Sequence, residues 1–246
     1  MLGIIYNATG NIWLGILACL ATGTICGALN GLILTKFTEL APMIVTLATY
    51  IIFRGLSERI LGDGSTGGMQ DVEWFGEIFY GRVFGIVPYP FIIFCVVAVI
   101  FGLLMHKTVF GRQMFAIGAN KKAAAYAGVK VEKLRMIVFT LTGFICGFAA
   151  VIYCANLGSV KSNVADGFEL EAISMCVLGG ISTAGGKGTM VGAVIAIFII
   201  GLLRYGLNLV NLSGQTIRII LGALLIAVVL YPTIQEAIKN RKKMAK

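Results

Sequence analysis

Long apolar runs separated by short polar segments dominate the hydropathy pattern of the chain. The longer runs come close to the roughly 20 residues that a helix needs to cross a bilayer. They lie at 12–34, 42–60, 90–106, 135–156, 189–210 and 216–231. A further run, 171–181, is short and ends in Gly179-Gly180, so we expect protein or a water-filled cavity around it. The pattern predicts an all-α, polytopic transmembrane helical bundle of about seven spans.

Two segments of this pattern carry additional information. The run 12–34 is rich in glycine, alanine and threonine, and small residues allow neighbouring helices to approach closely. We therefore expect it to be a packed inner helix. The segment 61–89 is glycine-rich at first and aromatic afterwards, which is typical of a loop at the membrane–water interface.

The polar segment 111–135 contains the signals of one short helix. Asn120 is a favourable N-cap, because its side-chain oxygen can accept from the first amide groups of a helix. Residues 121–127 are mostly good helix formers, and Gly128 can adopt the left-handed conformation that ends a helix. A helix of two turns is not stable alone in water, so we expect it to lean on a partner.

The composition agrees with a membrane protein. The chain of 246 residues is 58% hydrophobic and only 13% charged, whereas soluble domains are about 25% charged. The net charge of +9 does not indicate nucleic-acid binding, because the basic residues are concentrated in particular loops rather than along one face. The six cysteines lie in apolar runs without paired metal spacing, so we expect no disulfide and no metal site.

The distribution of charge predicts the orientation in the membrane. Segment 107–135 holds seven basic residues and one acid, and the end of the chain from 236 holds five and one. The segments 61–89 and 157–171 carry more acids than bases. Cytoplasmic loops carry the excess of Lys and Arg. We therefore expect one transmembrane domain over 1–246, with 107–135 as a cytoplasmic loop and 233–246 as a basic cytoplasmic tail.

No constellation of residues typical of an enzyme is present in the sequence. His106 is the sole histidine and is expected to be a capping or interfacial residue. The segment Gly185-Gly-Lys-Gly-Thr189 lacks the spacing of a phosphate-binding loop. We predict no catalytic activity and no cofactor. The central parts of the spans also lack the Asp or Glu that ion-coupled symporters need, so the energy for transport should come from elsewhere.

Arg204 and Asn208 are the candidate residues for a substrate pathway. They lie one turn apart on the same helical face of the run 189–210. An arginine in a span usually faces the bundle interior or a cavity, where it could contact substrate hydroxyls. The alternative is an arginine whose guanidinium snorkels to the outer headgroups. The sequence leaves both interpretations open.

Two function classes fit this organisation. In the first, the chain is a permease subunit driven by a separate cytoplasmic ATPase, and the helix within 120–128 docks onto it. In the second, it is a secondary transporter of a small polar solute without an ATPase partner, and the basic loop only sets the topology.

Three blocks, in order along the chain, form a recognisable pattern. They are Gly27-Ala-Leu-Asn-Gly31 with Pro42-Met-Ile-Val-Thr-Leu47 and Arg54-Gly55, then Gly111-Arg112 with Ala116-Ile-Gly-Ala-Asn120, Ala123-Ala124 and Gly128, then Gly167-Phe-Glu-Leu-Glu-Ala-Ile173 with Val177-Leu-Gly-Gly-Ile-Ser-Thr-Ala-Gly-Gly-Lys-Gly188. Together they resemble the ribose-type (monosaccharide or autoinducer-2) permeases of bacterial ABC importers. The resemblance implies a multi-pass protein of the bacterial inner membrane.

The same resemblance implies partners and docking residues. The partners are a cytoplasmic ATP-binding-cassette ATPase, an extracytoplasmic solute-binding protein, a second permease subunit and membrane lipid, with no nucleic acid. The implied substrates are small sugars such as ribose, rhamnose or xylose, or autoinducer-2. The implied ATPase-docking residues are Gly118, Asn120, Ala123, Ala124 and Gly128. Family members carry further spans before the Gly27 block, so we expect the N-terminal part of the pattern to be missing here.

Overall fold

The computed structural model describes residues 1–62, 64–69, 72–162, 164–217, 219–220, 222–224, 226–227 and 230. The predicted basic tail, 233–246, lies outside the described residues, and the predicted span 216–231 lies partly outside them. Regular structure in the described ranges is almost entirely α-helical, which confirms the predicted all-α class.

The helices follow one another closely along the chain. Their bounds are α1 (Leu2–Thr9), α2 (Ile12–Lys36), α3 (Pro42–Leu61), α4 (Glu73–Tyr80), α5 (Tyr89–Lys107), α6 (Val109–Ala119), α7 (Lys121–Tyr126), α8 (Val131–Leu157), α9 (Phe168–Leu178) and α10 (Met190–Leu209). A small antiparallel hairpin, β1 (Arg82–Val83) and β2 (Val87–Pro88), separates α4 from α5, with Arg82 opposite Pro88.

Four helices among the described residues, α2, α5, α8 and α10, are long and apolar enough to cross a membrane. Helix α3 has 20 residues, but it carries Arg54, Glu58 and Arg59 in its last two turns. Helix α9 has only 11 residues. The predicted count of seven spans is therefore not confirmed, because charge in α3 and shortness in α9 remove two of the predicted runs from this group.

The segment 61–89 is more ordered than a predicted interfacial loop. It contains α4 and the hairpin, and Phe75 of α4 is almost fully buried. The Trp74 ring stacks on the Trp13 ring with 4.7 Å between their centroids. Apolar side chains thus fold this segment back onto the helices, which explains why a prediction based on its polar, glycine-rich start missed α4.

The chain divides into two compact units. Unit 1 consists of Met1–Val97 and Gly128–Val164, and unit 2 consists of Ala98–Ala127 and the described residues from Ala165 onward. The core of unit 1 is an apolar cluster contributed by α1, α2, α4 and α8 with one loop residue. Its buried members are Leu2, Ile12, Met69, Phe75, Val151, Cys154 and Ala155.

Helices α2 and α8 pack against each other in unit 1 through glycine. A Cβ atom placed on Gly23 would lie 2.6 Å from the carbonyl oxygen of Gly143, and one on Gly27 would lie 2.8 Å from the Gly143 Cα. Backbones can come this close only where side chains are absent. The prediction that run 12–34 is a packed helix is confirmed for this glycine face.

Unit 2 contains the packed pair α9 and α10. A Cβ on Gly179, at the end of α9, would lie 2.7 Å from the Ala193 Cα of α10. Farther along α10, Ile200 is buried against Ile217. Helices α6 and α7 also belong to this unit and contact each other.

Candidate functional site

The segment 111–135 contains most of α6 and all of α7 before α8 begins at Val131, rather than one short helix. As predicted, the Asn120 side-chain oxygen accepts a hydrogen bond from the Ala123 N–H at 3.0 Å, and α7 begins there. Gly128 adopts the predicted left-handed conformation, with φ of 83°. Helix α6 was not predicted. Its signal was Thr108, whose hydroxyl oxygen accepts from the Gly111 N–H and caps the helix.

Helix α7 offers an exposed surface of mixed chemistry. Asn120, Ala123 and Gly128 of the predicted docking set are exposed, whereas Ala124 is 5% exposed and packs inward. The prediction missed Tyr126, which is 91% exposed. We define the α7 surface by its exposed residues Lys121, Lys122, Ala123, Ala125 and Tyr126.

Gly118, another predicted docking residue, has a packing role in unit 2. A Cβ on Gly118 would lie 2.9 Å from the Cα of Gly186 and closer still to the Gly186 N. The backbone of α6 thus touches the glycine-rich turn that leads into α10. A side chain at Gly118 would force the two segments apart, so glycine is required there by close approach rather than by flexibility.

His106 makes a second link between the same parts of unit 2. Its Nε2 accepts a hydrogen bond from the Met190 N–H at 3.1 Å, and Met190 is the first residue of α10. The imidazole also stacks on Phe115 of α6, with 5.9 Å between ring centroids. The expectation of a capping histidine is confirmed. The end of α5, the middle of α6 and the start of α10 are therefore joined by one side chain.

Arg204 forms an ion pair that the sequence did not reveal. Its Nη1 donates to Glu171 Oε2 at 2.6 Å, which connects α10 to the first turn of α9. The guanidinium carbon lies 5.6 Å from the centroid of the Phe168 ring. Asn208 donates from Nδ2 to the carbonyl oxygen of Arg204 at 3.0 Å. Both predicted pathway residues thus belong to one polar cluster with Glu171.

Glu171 and Phe168 were overlooked although they lie in a block that carries the family resemblance. The acids of segment 157–171 entered only the prediction of the orientation in the membrane, and such acids are usually solvated. In the structure this segment begins α9. The available signal was Arg204 itself, because a charge within an apolar run usually pairs with an opposite charge on a neighbouring helix.

Within the ranges that the structure describes, no group of three or more His, Cys, Asp or Glu side chains converges in a way that could hold a metal ion. The candidate site is therefore built from helix surfaces and one interhelical ion pair. Its chemistry consists of hydrogen-bond donors and acceptors, two exposed lysines and one exposed tyrosine ring.

Comparison with known proteins identifies the class of this arrangement. Residues 1–229 match the family described as branched-chain amino acid transport system / permease component. The chain is 36% identical over 237 residues to the L-arabinose transport system permease protein AraH of Escherichia coli strain K12, covering 96% of this chain and 71% of AraH.

Two further relatives agree with this assignment. The ribose import permease protein RbsC of Bacillus subtilis strain 168 is 39% identical over 207 residues, which are 82% of this chain and 62% of RbsC. The autoinducer 2 import system permease protein LsrD of Yersinia enterocolitica is 34% identical over 233 residues, which are 93% of this chain and 70% of LsrD. No solved structure matches the chain.

These matches confirm the resemblance to ribose-type permeases, because all three relatives are named as permeases and the match extends over most of the chain. The apolar helices α2, α5, α8 and α10 provide several membrane spans, in agreement with the predicted location in a cell membrane. The chain therefore belongs to the branched-chain amino acid transport system permease family and is a multi-pass membrane permease.

Proposed function

We propose that this chain is the membrane-spanning subunit of an ATP-binding-cassette importer that carries a small sugar or autoinducer-2 by alternating access. The observation that carries the proposal is the 36% identity to an arabinose permease along 96% of the chain. The description of the family mentions branched-chain amino acids. The three relatives, however, are named for the transport or import of arabinose, ribose and autoinducer 2. Small polyhydroxylated solutes are therefore the favoured substrates.

The proposed assembly contains three kinds of partner. A cytoplasmic ATPase supplies energy, an extracytoplasmic solute-binding protein delivers the solute, and a second permease subunit completes the membrane domain. The lack of carboxylates in the central parts of the apolar runs supports an external energy source over ion coupling. The proposal retains one transmembrane domain of seven spans with its basic loop 107–135 and its tail in the cytoplasm.

The α7 surface is the proposed docking site for the ATPase. Helix α7 is only six residues long, is capped by Asn120, and presents Tyr126 with nearly all of its side chain in solvent. Tyrosine is enriched among the residues that dominate protein–protein binding energy, since it offers a large apolar ring with a polar tip. The neighbouring lysines Lys121 and Lys122 could pair with acids at the rim of a groove.

A movement of α7 could reach α10 through the contacts of unit 2. Helix α7 follows α6 directly, and Gly118 of α6 rests on the turn at Gly186. His106 holds the N–H of Met190 at the start of α10. Helix α10 carries Arg204 and Asn208, and we propose that it lines the solute pathway. A displacement of α7 would therefore shift α10 through these contacts.

The proposed function can be tested by reconstitution. The chain would be placed in proteoliposomes with the ATPase and the solute-binding protein of the same importer, and uptake of radiolabelled L-arabinose, D-ribose and autoinducer-2 would be measured beside that of L-leucine. We expect ATP-dependent accumulation of one of them. Uptake of L-leucine alone would indicate an amino-acid importer, and uptake driven by an ion gradient without ATP would favour the secondary transporter.

Docking can be tested by truncating the exposed tyrosine. We expect Tyr126→Ala to weaken ATPase binding by about tenfold or more, because truncation of a central aromatic contact typically costs about 2 kcal/mol or more. The measurement is co-purification of the ATPase with the membrane complex at several salt concentrations. Ala124 is unsuitable for this test, because its burial would confuse docking with folding.

A matched control is Phe84→Ala in the β1–β2 turn. Phe84 is 94% exposed, but it lies in the segment predicted to be extracytoplasmic. We expect this variant to bind the ATPase as the wild type does. Wild-type co-purification of the Tyr126→Ala variant would show that the α7 surface is not the docking site.

A further inference from the structure

The ion pair between α9 and α10 is held from several sides. Glu171 contributes a carboxylate whose side chain is 18% exposed, and the Arg204 side chain is 41% exposed. The Phe168 ring, one turn before Glu171, supports the guanidinium through a cation–π contact. Phe168 and Glu171 are three residues apart on α9, so they lie on the same helical face. One short helix thus supplies both supports.

An ion pair that is partly buried between two largely apolar helices carries a cost in free energy. Removing a carboxylate and a guanidinium from water carries a desolvation penalty that the attraction between them often only just offsets. Many exposed positions of α9 and α10 are apolar, including Leu170, Leu202 and Leu209. A leucine pair would pack here without that penalty, so stability alone does not explain the charges. Ionisable residues in membrane segments usually mark a solute or ion pathway.

The pair leaves hydrogen-bonding capacity on its exposed side. A guanidinium has five N–H donors in a planar fork, and the contact to Glu171 uses the Nη1 group. Asn208, one turn further along α10, is exposed, and its Nδ2 donates to the Arg204 carbonyl oxygen. Its Oδ1 remains available as a hydrogen-bond acceptor. Adjacent donors and an acceptor in fixed positions match the donor and acceptor character of neighbouring hydroxyl groups.

We propose that Glu171 and Phe168 are positioning residues that fix the Arg204 guanidinium one helical turn from Asn208, and that this cluster recognises the hydroxyl groups of a small polyhydroxylated solute on its pathway. The inference rests on the proposed function and deepens it by assigning a recognition site. Glu171 does not need to touch the solute. It fixes the orientation of the planar fork, which otherwise would adopt many rotamers.

The orientation predicted from charge puts the cluster on the outer side of the membrane. Glu171 ends the acidic segment 157–171, and Arg204 lies near the C-terminal end of α10, which in this orientation is on the same side. The solute would therefore meet this cluster on entry.

The test is a charge exchange in the full transport complex. The double variant Glu171→Arg/Arg204→Glu retains an ion pair between α9 and α10 but moves the guanidinium to the other helix. The readouts are the unfolding temperature, the ATPase rate, and the amount of solute accumulated per ATP hydrolysed, for whichever of L-arabinose, D-ribose or autoinducer-2 the wild type accumulates. A purely structural pair would leave the accumulated amount per ATP unchanged.

We expect the exchange variant to accumulate at least about tenfold less solute per ATP, a change equivalent to about 1.4 kcal/mol of lost recognition. Because this double variant could fail to fold, Glu171→Gln serves as a second variant of nearly the same shape. It should lower the amount of solute accumulated per ATP hydrolysed. Glu171→Asp should keep part of the accumulation, whereas Arg204→Lys should not, because an ammonium lacks the planar fork.

Glu169→Gln is the matched control, since it removes the same charge two residues away on α9, where the side chain points elsewhere. It should accumulate solute as the wild type does. Wild-type accumulation per ATP in the exchange variant or in Glu171→Gln would overturn the assignment of the cluster. If the wild type itself accumulates none of the three solutes, the proposed function fails instead.

Discussion

Several polar side chains of the apolar helices have a hydrogen-bond partner, but one buried oxygen in the described part of the chain does not. The hydroxyls of Thr22 and Thr140 donate to carbonyl oxygens one turn earlier in their own helices, at 2.6 and 2.8 Å. Arg135 reaches from α8 to the Leu34 carbonyl oxygen near the end of α2 at 3.1 Å. Asn30 is the exception among the described residues, because its buried Oδ1 has no hydrogen-bond partner.

This oxygen leads to a prediction about stability. A buried polar atom without a partner costs about 1–3 kcal/mol. We expect Asn30→Leu, which is close in volume, to raise the unfolding temperature by about 2–4 °C, the shift that about 1 kcal/mol produces in a chain of this size. Thermal unfolding of the purified chain in detergent would measure it.

The control for this prediction is Asn156→Leu. The side chain and backbone of Asn156 both accept from the Tyr80 hydroxyl, so the same substitution removes a contact there. We expect no gain or a loss of stability. A lower unfolding temperature for Asn30→Leu would mean that the amide makes a favourable contact in the folded protein.

At the scale of elements, the close pair of α2 and α8 holds unit 1 together. Gly143 of α8 faces Gly23 and Gly27 of α2, and a Cβ on it would lie 2.7 Å from the Gly27 Cα. A stripe of small residues in α2 predicted tight packing but not the identity of the partner. The partner is separated from α2 by more than 90 residues of chain, and only the folded arrangement brings them together.

Gly143→Ala should therefore destabilise the protein. Forcing a methyl group between two backbones typically costs about 1–3 kcal/mol, because neither helix axis can yield locally. Thermal unfolding in detergent should show a lower transition temperature. Gly76→Ala in α4 is the matched control, since nothing lies within 4 Å of the added Cβ. Alanine there should stabilise the helix by about 0.5–1 kcal/mol.

An unchanged or higher unfolding temperature for Gly143→Ala would contradict the close contact. The contrast matters because glycine has two different roles in these helices. In α4 it only weakens the helix, whereas in α8 it permits a packed interface.

At the scale of the whole molecule, the distribution of charge predicts which segments face the cytoplasm. The α7 surface carries Lys121 and Lys122, and the segment after α8 contains Lys161 among acids. The positive-inside rule places the first on the cytoplasmic side and the second outside. The orientation determines whether an ATPase can reach α7.

Labelling of single cysteines would test this orientation. In a background without the six native cysteines, we expect Lys161→Cys to react with an impermeant maleimide on intact cells. Lys122→Cys should react only after the membrane is opened, because both positions are exposed in the folded chain but should lie on opposite sides. The reverse pattern would exclude docking of a cytoplasmic ATPase at α7.

The features that followed from the sequence alone are those with local causes. Apolar runs long enough to span a bilayer predicted helices such as α2 and α10, and Asn120 with Gly128 marked the two ends of the segment around α7. Charge predicted an orientation and motifs predicted the family, since both are properties of the linear chain. The helices were predicted less completely, because α1 and α4 lack a strong local signal and the Thr108 cap of α6 was missed.

The candidate site depended on tertiary structure, because it is formed by faces that meet across the sequence. Arg204 and Glu171 are 33 residues apart, and only the packing of α10 on α9 brings their charges to 2.6 Å. The backbone of Gly118 likewise contacts Gly186 only because the chain folds these two segments together. Ala124 turned inward and Tyr126 outward although both belong to one short helix. Hydropathy indicates whether a helix as a whole is buried or exposed, whereas packing determines which of its faces contacts neighbouring helices.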